Sequence, residues 1–86
     1  MKTPIRSFAT AWRYYFEKDP PSGLNVRGAV TEGHAHGTYW FSWAVTNGGN
    51  PYESGIVEFS HSSEWAKSRN KAVYQVRKAM RKLMGE

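Results

Sequence analysis

The chain has 86 residues, no cysteine, a formal net charge of +5 and 15% aromatic residues. A single domain of this length buries only about 60 to 65% of its unfolded surface, so it needs a compact, aromatic-rich core. The composition excludes a disulfide framework and a thiolate zinc site, and no apolar run is long enough to predict a membrane span or a signal peptide.

Thr3-Pro4 has the form of a helix start, a capping hydroxyl followed by a ring pre-set for the first helical turn. Ile5, Phe8, Ala9, Trp12, Tyr15 and Phe16 then recur at spacings of three and four, which predicts the apolar face of an N-terminal helix with Tyr14 on its opposite side. The prolines of Asp19-Pro20-Pro21-Ser22-Gly23 stop that helix, because two consecutive prolines cannot continue its hydrogen-bond ladder. From Leu24 the period becomes two: Leu24, Val26, Gly28 and Val30 alternate with Asn25, Arg27, Ala29 and Thr31, the pattern of a half-buried strand.

Glycines in Glu32-Gly33-His34-Ala35-His36-Gly37 predict a turn. Residues 38–46 alternate again, with Tyr39, Phe41, Trp43 and Val45 on one face and Trp40, Ser42 and Ala44 on the other, and this is the expected central strand. Asn47-Gly48-Gly49-Asn50-Pro51 is the strongest turn signal in the chain, since Asn and Gly tolerate the positive φ of tight turns. A third strand is expected over 55–60.

The final element reads as an amphipathic helix over 63–84, capped by Ser62 or Ser63, with Glu64 complementing its dipole and Gly85 ending it. Trp65, Ala72, Val73, Val76, Ala79, Met80 and Leu83 cluster on one side, and Lys67, Lys71, Lys78, Arg81 and Lys82 on the other. The expected fold class is α+β: a three-stranded antiparallel sheet with an N-terminal and a C-terminal helix on one face, in the order α-β-β-β-α. With no repeat and no low-complexity stretch, residues 1–86 are expected to form one complete small soluble domain, and the lack of cysteine suits a reducing cytoplasm.

Charge is unevenly placed along this order. Before His61 the Lys and Arg residues are balanced by carboxylates. After it, Lys67, Arg69, Lys71, Arg77, Lys78, Arg81 and Lys82 face only Glu64 and Glu86, so the entire net charge lies on the last helix. A one-sided cationic helix points to a polyanionic or acidic partner. Lys67, Lys71, Lys78 and Lys82 fall on successive turns with Tyr74 among them, a stripe that can track phosphates while the tyrosine stacks or hydrogen-bonds. The plainer reading is a solvated face that suits the helix dipole. Arg69 projects toward the apolar side, where pairing with a sheet carboxylate such as Glu58 is expected.

Trp40 lies off the predicted core and would stack a base or anchor an interface, unless the N-terminal segment or a second copy covers it. Tyr14, Tyr52 and Tyr74 are lesser examples. Glu32, His34 and His36 include metal-ligating side chains, but alternate residues of an extended loop point apart and no fourth ligand is evident, so a polar turn is expected and no metal. There is no nucleophile elbow, no phosphate-binding glycine loop and no carboxylate pair at a recognisable spacing, and neither enzymatic activity nor a cofactor is expected.

The expected order of helix, three strands and basic helix resembles the double-stranded-RNA-binding domain. Gly33-His34 stands where that family keeps a glycine and histidine in its first strand-to-strand loop. Of Ser63-Glu64-Trp65-Ala66-Lys67, the residues Ala66 and Lys67 match its lysine-lysine-variable-alanine-lysine motif, with Ser63 and Glu64 in place of the paired lysines. The resemblance implies that His34 and Lys67 face RNA, with Lys71 beside them.

Two functions compete on these grounds. The first is a non-enzymatic nucleic-acid-binding module, for RNA or DNA, using Lys67, Lys71, Tyr74, Lys78, Arg81 and Lys82 together with His34 and Trp40. The second is an inhibitor or adaptor of the kind that phages and mobile elements encode, such as an anti-CRISPR protein, whose basic helix docks on an acidic protein surface. A helix lying on a membrane surface is disfavoured, because the sheet needs its apolar face.

Overall fold

The structure is a computed structural model that describes residues 4–10, 12–18 and 25–86. Its strands are β1 (Ile5–Ala9), β2 (Arg13–Lys18), β3 (Val26–Ala35), β4 (Thr38–Asn47) and β5 (Asn50–Phe59), followed by a 3-10 turn (Ser62–Glu64) and one helix, α1 (Trp65–Leu83). All five strands form one antiparallel meander in the order β1-β2-β3-β4-β5. The expected three-stranded sheet with two helices is therefore corrected to five strands and a single helix, still within the α+β class. Thr3, Leu24 and the stop at 19–23 lie outside the described residues.

The hairpin β1-β2 replaces the N-terminal helix, the element with which the double-stranded-RNA-binding order begins. The three-and-four spacing of its apolar residues is compatible with a helix, but Trp12, Tyr14, Tyr15 and Phe16 are side chains that favour a pleated surface. As a strand, β2 places Tyr14 and Phe16 on one side and Arg13, Tyr15 and Glu17 on the other. Only Phe16 is buried in the core, while Phe8, Trp12 and Tyr15 are exposed. Tyr14, expected to point away from the core, packs against it instead.

Both hairpins around β4 close on two-residue turns. His36 and Gly37 have φ of 50° and 79°, and Gly48 and Gly49 have φ of 61° and 85°. Positive φ at both central residues matches the right-handed twist of the flanking strands. Strand β3 thus continues through Ala35, and the turn expected over 32–37 shrinks to its last two residues.

Helix α1 covers one face of β3, β4 and β5, and the two sheet faces are called inner and open accordingly. Val26 and Val30 from β3, Phe41, Trp43 and Val45 from β4, and Phe59 from β5 meet Ala72, Val76, Ala79 and Met80 from α1. The helix crosses β3 at Gly28, where an added Cβ would stand 2.5 Å from Val76 Cγ1 and 3.1 Å from Met80 Sδ. At the helix start, Glu64 accepts hydrogen bonds from the backbone N–H groups of Ser60 and His61, and this arrangement takes the place of the expected cap by Ser62 or Ser63. At its end Gly85 takes φ of 80° and donates to the Lys82 carbonyl, while Glu86 donates to Arg81, the paired bonds of a glycine-terminated helix.

Replacing Gly28 with valine drives a branched side chain into Val76, and overpacking of this kind costs about 1 to 3 kcal/mol. Chemical denaturation of Gly28→Val should show that loss. An unchanged midpoint would mean that the helix does not sit on β3 as described.

Candidate binding surfaces

Helix α1 has an outward stripe because its inward one is fully committed. Ser68, Ala72, Val76, Ala79 and Met80 are buried, and the positions roughly opposite on the wheel are Lys67, Lys71, Tyr74, Lys78 and Arg81. Tyr74 is 61% exposed near the centre of that stripe. The helix itself contains no acidic residue between Trp65 and Leu83. Lys67, Lys71 and Lys78 are exposed and stand in no ion pair among the described residues.

The last two cations of the predicted set are held differently. Arg81 pairs with Glu86 at 3.1 Å, and Lys82 reaches Glu53 on β5 at 3.6 Å. Both contacts are at the surface, where screening leaves an ion pair little net energy. Val73, Tyr74, Arg77, Lys78, Arg81 and Lys82 line a shallow groove along the helix, so this end of the stripe has an apolar floor beneath its cations.

Arg69 does not pair with Glu58, because Glu58 lies on the open face opposite Trp40. Its guanidinium instead stacks on Tyr14 at 4.5 Å and lies 6.0 Å from the Trp65 ring, and its Nη1 donates to Asn70 Oδ1 at 3.2 Å. Arg77 makes a similar contact with Phe16 at 5.7 Å. These two arginines secure the flank of the helix against β2 and are not part of the outward stripe.

His34 is on the helix side of the sheet, near the end of the β3-β4 hairpin. Its ring is 5.9 Å from Tyr39, which stacks on Phe59, which stacks in turn on Phe41 beside Trp65. Glu32 is in β3 and accepts a hydrogen bond from Trp65 Nε1–H at 2.7 Å. Among the described residues, no three His, Asp or Glu side chains gather where they could hold a metal ion. No described helix is long and apolar enough to cross a membrane.

Trp40 points to the open face, away from every residue of the helix stripe. It is half-buried, with its indole covering Gly33, where an added Cβ would be 2.5 Å from the ring. Toward the other end and edge of the sheet, the register places Arg6, Phe8, Arg13, Tyr15, Glu17 and Arg27 on the same face. None of these belongs to the site expected from the sequence, because a helical reading of 5–16 commits Phe8 and Tyr15 to the apolar face of a helix. The alternation of Arg13, Tyr15 and Glu17 against Tyr14 and Phe16 is the signal that marks them.

The structure therefore brings Lys67, Lys71, Tyr74, Lys78, Arg81 and Lys82 together, leaves His34 apart on the same side of the sheet, and puts Trp40 on the other side. Comparison with protein-family models, curated proteins and solved structures gives no match to this chain.

Trp65 ties the start of the stripe to β3. Trp65→Phe keeps the ring against Phe41 but removes the donor to Glu32, and losing a hydrogen bond to a carboxylate should cost about 1.5 kcal/mol. A double-mutant cycle with Glu32→Leu, which removes the acceptor, should recover most of that loss as coupling energy. Additive effects would show that the bond contributes nothing.

Proposed function

We propose that this protein is a non-enzymatic nucleic-acid-binding module whose α1 contacts phosphates through its outward stripe. The observation that carries the reading is the stripe itself: Lys67 and Lys71 one turn apart and Lys78 two turns further on, all exposed, with Tyr74 on the turn between, on a helix without a carboxylate. Ammonium groups spaced by about 6 and about 10 Å along one line can meet successive or alternate phosphates of a sugar-phosphate backbone, and each phosphate neutralised releases condensed counterions. Tyr74, with its ring in solvent, adds a hydroxyl that can donate to a phosphate or a flat face that can stack.

The same charge would also attract an acidic protein surface, as an inhibitor of a phage or mobile element would require. Nucleic acid is preferred because the three lysines form a line along one helix, matching an extended polyanion.

Binding of wild-type protein to labelled nucleic acid should weaken steeply with salt. For Lys67→Gln/Lys71→Gln/Lys78→Gln the slope of log K against log salt should fall by roughly 2 to 3, since each phosphate left without its lysine removes about 0.9 from the slope on duplex DNA. Stability should change by less than about 0.5 kcal/mol per substitution, because these side chains are exposed and stand in no ion pair among the described residues. An unchanged slope would sink the proposal, and so would retention of a stoichiometric protein partner after nuclease treatment with no affinity for nucleic acid.

A further inference from the structure

The open face of the sheet carries a second kind of chemistry. Its rows can be read from the strand register. Phe8, Tyr15, Ala29, Ala44 and Ser54 lie side by side across all five strands, with Arg13, Thr31, Ser42 and Ile56 forming the next row. Gly33, Trp40 and Glu58 form the row beyond. The floor between the rings is made of Ala29, Thr31, Ser42 and Ala44, all short side chains, and Arg13 reaches over it to Thr31 and Tyr15, so a flat ligand laid between Tyr15 and Trp40 meets this guanidinium. No described element packs over this face.

Three features select the occupant. First, the Trp40 indole covers Gly33 on the open face and stays partly exposed there, so an aromatic ring is offered to a ligand at this end of the sheet. Second, cations are interleaved with rings. The Arg6 guanidinium sits 5.5 Å from the Phe8 ring and the Arg13 guanidinium 5.6 Å from the Tyr15 ring, with Arg13 Nε also donating to Thr31 Oγ1 at 3.0 Å. Third, Arg6, Arg13 and Arg27 outnumber the carboxylates of Glu17 and Glu58 by one; Glu17 pairs with Arg6 and stands 3.9 Å from Arg27, so Arg13 carries the excess positive charge of this face. Arginine and aromatic rings are also enriched at protein-protein interfaces, so residue type alone does not choose the occupant. Their arrangement does: a surface that alternates guanidinium and ring matches a chain that alternates phosphate and base, and stacking accepts any base because each has a π-face.

We propose that the open face binds an unpaired stretch of nucleic acid, with bases stacked on Phe8, Tyr15 and Trp40 and phosphates met by Arg13 and its arginine neighbours. This deepens the proposed function and rests on it, by naming the form of nucleic acid. It also gives the molecule two surfaces on opposite sides of one sheet. The helix stripe meets phosphates of any strand, duplex or single, while only an unpaired strand can turn its bases onto the open face. Single strands are then preferred over duplexes, and the preference resides in residues remote from the lysines.

The test compares an oligouridylate of about 16 nucleotides, the upper site size for a stacking platform, with a duplex of equal length. Wild-type protein, Tyr15→Ser, Phe8→Ser, Trp40→Leu and the triple lysine variant are titrated with each. Tyr15→Ser and Phe8→Ser are expected to lose about ten-fold in single-strand affinity, the scale of one base stacked on an aromatic ring, with duplex affinity unchanged. Trp40→Leu should lose at least as much, and the tryptophan quenching seen when wild type binds the single strand should shrink with it. Because Tyr15 and Phe8 are exposed, their variants keep the test valid even if Trp40→Leu unfolds. Equal affinity of wild type and ring variants for the single strand overturns this inference alone, provided the lysine variant still flattens the salt slope. Failure of wild-type protein to bind either nucleic acid overturns the phosphate-binding reading as well. A nuclease-resistant protein partner whose capture is abolished in Tyr15→Ser would assign the face to protein and overturn the inference too.

Discussion

The close approach of α1 to β3 at Gly28 sets the rest of the molecule. Without a side chain at that position, Val76 and Met80 descend onto the sheet, and the apolar stripe of the helix is filled by Val26, Val30, Phe41, Val45 and Phe59. A helix this firmly seated cannot roll about its axis without opening a void in the core, and interiors packed to crystal density resist that. Its rotation is therefore fixed, and with it the direction in which every lysine points. Trp65 on Glu32, Arg69 on Tyr14 and Arg77 on Phe16 hold the same rotation from the helix start and flank. Apart from Arg69, the positions turned inward are held by apolar or small side chains, which leaves the helix's lysines on the outward stripe.

That seating also divides the chemistry between two sides. One side of the sheet is covered by the helix and expresses charge only through the helix's outer surface. The other side has no described cover and expresses the sheet's own residues, rings and guanidinium groups in rows. A side chain moves from one to the other by a shift of a single residue in strand register, so the meander's register is itself a functional constraint. The two-residue turns at His36-Gly37 and Gly48-Gly49 fix that register for β3, β4 and β5, and the bulge between Val45 and Thr46 is confined to one end.

Much of the second half of the chain is legible in the sequence because its periodicities are unambiguous. The alternation of Tyr39, Phe41, Trp43 and Val45 fits only a strand, Gly48-Gly49 fits only a tight turn, and the spacing from Trp65 to Leu83 fits only a helix. The first 18 residues carry two compatible patterns, since an apolar set at spacings of three and four within 5–16 also contains alternating pairs. What separates them is pairing: Phe16 lies across from Gly28, and Tyr14 from Val30, so a strand there extends an existing sheet and brings both rings onto its core. Single-element periodicity contains no information about such partners.

By itself, the sequence determined that one short segment holds all of the net charge, that this segment is an amphipathic helix, and that Lys67, Lys71, Tyr74 and Lys78 share its polar side. These are local properties, set by spacing along one chain segment. Only the tertiary structure decided that Ile5–Ala9 and Arg13–Lys18 are strands, that Arg69 is spent on Tyr14, and that Trp40 shares a surface with Tyr15 and Phe8. Those outcomes depend on which segments pair across distances in sequence that no local period records.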